Sequence, residues 1–121
     1  MVMLHGGDVC YRGALPVAEK MAKTYHVVLV AYDGFNPDEP EMEFKSVPDE
    51  VRRLGDYIVE HYDGKIDILY GVSYRTFILM DVLADDRLTI TTTIADGMPT
   101  MDYADIKSPV LQARKSKKFV L

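Results

Sequence analysis

The sequence predicts an α/β fold, a three-layer α/β/α arrangement with a small parallel sheet. Three observations lead there. Apolar strand patterns alternate with amphipathic helical patterns along the first 106 residues. At least one strand, Val27-Val28-Leu29-Val30-Ala31-Tyr32, is a continuous apolar run of the kind found in strands covered on both faces. The strand patterns stop at glycine or polar turns, as strands feeding crossover helices do. Such alternation requires right-handed crossovers and parallel pairing.

Val2-Met3-Leu4 is a short first strand that stops at His5-Gly6-Gly7. A helix is predicted from Ala14 to Tyr25, with Leu15, Ala18, Met21, Ala22 and Tyr25 on one face and Pro16 in its first turn. The second strand, Val27 to Tyr32, ends at Asp33-Gly34. Residues 35–45 carry two prolines and four acids and read as an exposed loop. Ser46 is placed to cap the next helix, with Asp49 at the capping-box offset and Pro48 in the first turn. Val51, Leu54, Ile58 and Tyr62 form its buried stripe, and Gly64 ends it. Ile66 to Tyr70 is the third strand, Gly71-Val72-Ser73 turns a corner, and Tyr74 to Ala84 is apolar and helical. Thr89 to Ala95 is a β-branched fourth strand before Asp96-Gly97. With the first strand central, the order is 2-1-3-4, and the switch point lies between strands one and three.

The 121 residues suit one domain, and 48% hydrophobic with 27% charged residues excludes a disordered chain. Net charge is −5, yet all 19 acids precede Lys107. Lys107, Arg114, Lys115, Lys117 and Lys118 make residues 107–121 a basic tail, expected to be poorly ordered, behind an acidic domain over 1–106. An acidic body disfavours nucleic acid as partner. No apolar run reaches membrane-span length, and the N-terminus lacks a secretory pattern. Cys10 is the one cysteine, so a reducing, cytoplasmic setting is expected. No metal-ligand spacing and no phosphate-binding glycine motif appears, so no cofactor is expected.

Ligands of open parallel sheets bind at strand carboxyl ends beside the switch point. Here those ends are His5-Gly6-Gly7 and Gly71-Val72-Ser73. A serine on a tight strand-to-helix turn presents its hydroxyl outward, and the next amide, Tyr74, is free to hold an oxyanion. Gly71 gives that turn room. The amide of Gly7 is the candidate second donor, and His5 suits a structural hydrogen bond. The plainer alternative for Ser73 is a helix-capping serine. Asp96, on the same edge, is either a catalytic acid or a loop-solvating aspartate.

His5-Gly6-Gly7, Asp33-Gly34 and Gly71-Val72-Ser73, in this order and spacing, resemble the front half of the α/β-hydrolase superfamily, most of all its small bacterial members. The resemblance covers about residues 1–100. It implies a serine-dependent ester or acyl hydrolase with Ser73 as nucleophile on a nucleophile elbow. It also implies an oxyanion hole from the amides of Gly7 and Tyr74, a pocket-side loop at Asp33-Gly34, and Asp96 as a position for the triad acid. Two departures stand out. Arg75 occupies the place of the family's second glycine, and His5, His26 and His61 all precede Ser73, whereas the family's general base comes late. The alternative is a catalytically dead, pocket-bearing binding or oligomerising domain. The expected partners are a small acyl compound and a second copy of the chain. The edge expected to bind that copy is the fourth strand, since nothing after it has a strand pattern.

Overall fold

The structure, a computed structural model, describes residues 1–6, 10–73, 76–97 and 118–120. Among these residues five strands form one all-parallel sheet: β1 (Val2–Leu4), β2 (Val28–Val30), β3 (Lys65–Val72), β4 (Thr89–Asp96) and β5 (Lys118–Val120). Their order is β2-β1-β3-β4-β5, so the first four strands stand in the expected 2-1-3-4 sequence. The class is α/β. Among the described residues three helices lie between the first four strands: α1 (Leu15–Met21), entered through a 3-10 turn over Tyr11–Ala14, α2 (Val47–Tyr62) and α3 (Thr76–Ala84).

The second helix follows its sequence signals closely. Ser46 caps it with extended backbone, its hydroxyl accepting from the Asp49 amide at 3.3 Å, and Pro48 sits in the first turn. Asp63 at φ 53 and Gly64 at φ 69 close the helix, and the Gly64 amide bonds back to the Ile58 carbonyl at 3.1 Å. A side chain at Gly64 is excluded twice over. Its φ is left-handed, and a Cβ there would stand 2.6 Å from the Arg87 carbonyl oxygen. The same glycine's carbonyl accepts from the Thr89 amide at 2.7 Å, which starts β4 in register with β3.

The core gathers Val2 and Leu4 of β1, Leu69 of β3, Leu54 and Ile58 of α2, and Leu79, Val82 and Leu83 of α3. Val51 and Tyr62 pack on its margin, as their helical spacing predicts. Gly71 is part of this packing, because a Cβ there would meet Leu79 Cδ1 at 2.8 Å. Its lack of a side chain brings α3 close to the end of β3.

Three expectations are corrected. The first helix runs Leu15–Met21, not Ala14 to Tyr25, and of the predicted face only Ala18 is buried, while Leu15 and Tyr25 are exposed. Amides of Thr24 and Tyr25 both fold back on the Met21 carbonyl, turning the chain toward β2 before another helical turn forms. The second strand is shorter than Val27 to Tyr32, and Val28, Leu29 and Val30 are only half-buried, because β2 is the outer strand of the sheet. Third, β4 is not the open edge: Thr92, Thr93 and Ile94 pair with Lys118, Phe119 and Val120 of the basic tail. Phe119 and Val120 are apolar residues that directly follow Lys117 and Lys118 in the sequence.

Candidate functional site

Parallel pairing brings three strand ends together. Leu4 is in register with Gly71, and Val72 with Asp96, so the carboxyl ends of β1, β3 and β4 lie side by side. They border a cavity of about 440 Å³, walled by Leu4, His5, Tyr70, Val72, Ser73 and Asp96, with Ala14 and Val17 across from them. Such a volume suits a small organic ligand. The wall is apolar except for a polar cluster of His5, Tyr70, Ser73 and Asp96.

Ser73 sits directly after β3 and before α3, exposed, with φ 59. Among the described residues only Ser73 and Asp63 hold a positive φ without being glycine. Asp63 is explained by the helix end it caps. Ser73 ends a strand, and a left-handed backbone there costs a side-chain-bearing residue about 1–2 kcal/mol. Strain of this kind, held in place by surrounding packing, concentrates at functional sites. Two residues earlier, Leu79 lies so near Gly71 that a Cβ there would stand 2.8 Å from Leu79 Cδ1. Gly7 and Tyr74, the two expected oxyanion donors, lie outside the described residues.

His5 is 1% exposed. Its Nδ1–H donates to the Gly6 carbonyl at 2.9 Å, and its ring packs on Tyr32 with centroids 4.6 Å apart. That is the structural role expected of it, bracing the loop after β1. Asp96 accepts from the Tyr70 hydroxyl at 3.0 Å. Burial, and then the Asp96 carboxylate, raise the Tyr70 phenol above its ordinary pKa. Tyr70 escaped the sequence reading, although its place two residues before Val72 on β3 puts both on one face.

No protein-family model, curated protein or solved structure matches this chain.

The remaining candidates fall elsewhere. His26 Nε2 meets the Tyr62 hydroxyl at 3.1 Å beside the amino end of β2, and His61 stacks on Tyr57 within α2, with centroids 4.1 Å apart. Neither lines the cavity that holds Ser73. Cys10 is half-buried and free. Tyr11 and Arg12 both bind Asp38, tying the acidic loop to the 3-10 turn. Among the described residues no three His, Cys, Asp or Glu side chains are grouped to hold a metal ion. No helix among them is long and apolar enough to cross a membrane.

Asp33 departs from the expectation that it shapes a loop beside the Ser73 pocket. It is buried against α2, paired with Arg53, and lines a second cavity of about 390 Å³ with Glu50. Glu50 is buried too, its Oε1 3.8 Å from Arg53 Nη1. Burial first, then the Asp33 charge, push the Glu50 carboxyl above its ordinary pKa.

Proposed function

We propose that the chain is an α/β-hydrolase-like protein in which Ser73 is the nucleophile toward a small ester or related acyl compound. The observation that carries this reading is the left-handed Ser73 at the mouth of the cavity formed by β1, β3 and β4. A serine held so, past the last paired residue of its strand, offers Oγ to a bound carbonyl carbon. Attack there makes an acyl ester at Oγ, expels the alcohol, and passes the hydroxyl proton to solvent or to the leaving group. The amides of Gly7 and Tyr74 are the expected holders of the oxyanion, as the family resemblance implies. Specificity for a small substrate follows from the apolar wall of Leu4, Ala14, Val17 and Val72.

Two observations favour a second reading, a pocket-bearing domain that binds acyl compounds without turning them over. The histidines His26 and His61 lie outside this cavity, and His5 is buried with Nδ1 committed to Gly6. Asp96 is engaged by Tyr70. A serine hydroxyl is activated by an adjacent general base, and these contacts draw His5 toward Gly6 and Asp96 toward Tyr70. Oxyanion stabilisation and binding alone are worth about 10³-fold over water.

Kinetics on p-nitrophenyl acetate separate the readings. The first predicts a Ser73-dependent release of nitrophenol, slow and abolished in Ser73→Ala. Equal release by wild type and Ser73→Ala, with saturable binding of the ester by both, supports the second.

A further inference from the structure

We propose that two copies of the chain associate through the outer edge of β2, as an antiparallel, two-fold symmetric strand pair centred on Leu29. Among the described residues β2 ends the sheet and no strand pairs on its far side. The direction of its backbone groups follows from its inner pairing. The Val28 amide donates to the Met1 carbonyl at 2.9 Å, toward β1. Successive residues of a strand turn their N–H and C=O groups to opposite sides. Leu29 therefore presents its N–H and C=O outward, away from β1.

The edge has none of the features that block strand addition. Val28-Leu29-Val30 carries no lysine, no proline and no bulge, and its parallel register with β1 is regular. Beside it runs the groove of about 390 Å³, walled by Val28–Ala31 on the strand side, by Leu54 and Tyr57 of α2 on the other, and by the charged group of Asp33, Glu50 and Arg53. Tyr57 is 37% exposed there, so an added strand covers apolar surface as well as backbone.

Charge identifies the occupant as a second copy and sets its direction. Lys20, Lys23 and His26 precede β2 and are exposed. Glu39, Glu41 and Glu43 follow it and are exposed as well. With Glu19 exposed beside Lys20 and Lys45 exposed after Glu43, the charge flanking the strand is net basic before it and net acidic after it. In an antiparallel pair each basic entry lies along the partner's acidic exit, while a parallel pair sets like charge beside like. A strand with this polarity is complementary to itself, the requirement of an isologous interface.

A symmetric cross-link tests the arrangement in the full chain. Residues facing each other across an antiparallel pair have Cα atoms about 5.5 Å apart, within disulfide reach. In a Cys10→Ser background, Leu29→Cys is predicted to give a covalent dimer under mild oxidation. Val59→Cys, exposed on α2, is predicted to stay monomeric. Light scattering on the unmodified chain is predicted to show a concentration-dependent monomer–dimer equilibrium. Lys23→Glu or Glu41→Lys alone is predicted to weaken it, and the double exchange to restore it. Both charged positions are exposed, so the exchanges leave the fold intact. A monomer at every concentration overturns the proposal, including the case where the edge serves another protein. So does a dimer in which Leu29→Cys cross-links no better than Val59→Cys.

Discussion

Tyr70 on β3 gives its hydroxyl to Asp96 on β4 at 3.0 Å, a diagonal contact two residues away from the Val72–Asp96 register pair. The carboxylate at the carboxyl end of β4 is thereby bound to a phenol on the cavity wall, where a catalytic acid would bind an imidazole. The contact joins the two strands at the point where the pocket opens.

Asp96→Ala is therefore expected to cost about 1 kcal/mol of stability through the lost hydrogen bond. Acylation of Ser73 is expected to change by no more than about twofold, whereas disabling a triad acid lowers rates by about 10⁴-fold. Chemical denaturation and acylation kinetics on one preparation check both numbers. A collapse in acylation with little loss of stability would assign Asp96 to the chemistry.

The strain at Ser73 has a thermodynamic signature. A glycine adopts φ 59 without the Cβ penalty, whereas alanine keeps it. Ser73→Gly is expected to be about 1 kcal/mol more stable than Ser73→Ala, after allowance for glycine's larger unfolded entropy. Urea unfolding of the pair measures it. Equal stability, or the reverse order, means that the backbone at this corner is not strained.

Gly64 couples the end of α2 to the start of β4. Gly64→Ala combines a left-handed backbone with a Cβ 2.6 Å from the Arg87 carbonyl oxygen, a backbone atom that cannot rotate aside. A loss of more than about 2 kcal/mol is expected. Gly97→Ala, with a similar φ of 64 and no atom within 4 Å, carries the backbone cost alone and serves as the control. The difference between the two variants isolates the clash.

Glu50 makes a pH-dependent contribution of defined sign. Its carboxyl is raised by burial and by Asp33, so the folded state holds this proton more tightly than the unfolded chain does. Between the ordinary glutamate value of about 4.3 and the raised folded value, stability from this group falls as pH rises. Above that window the loss is complete. Glu50→Gln removes the ionisation, so the variant is expected to gain on wild type as pH rises through the window. Denaturation midpoints measured at several pH values between acid and neutral check this. A variant that loses ground with rising pH contradicts the assigned sign.

What was legible in the sequence was local. The cap at Ser46, the stop at Gly64 and the strand–Gly71–Ser73–helix corner each depend on residues within a few positions of one another. Parallel pairing followed from alternation and crossover handedness, and the order of the first four strands followed once the first strand was placed centrally. What was not legible depends on register. Tyr70 reaches Asp96 only because β3 and β4 pair with a fixed offset, and Asp33 meets Arg53 and Glu50 only once α2 has docked. The β4–β5 pairing was hidden for a compositional reason: three residues of a basic tail carry no strand periodicity. The short α1 was over-read because apolar spacing continues past Met21, while the chain is already turning into β2.

The central claim, that Ser73 is the reactive group of the cavity, is tested most directly by covalent labelling with a small alkyl fluorophosphonate. Phosphonylation forms an Oγ–P bond and releases fluoride, so intact mass gives the stoichiometry and peptide mapping gives the position. The account predicts one adduct per chain, formed slowly, located at Ser73 and absent in Ser73→Ala. No adduct at Ser73, or adducts spread over surface hydroxyls with the same yield in Ser73→Ala, would contradict it.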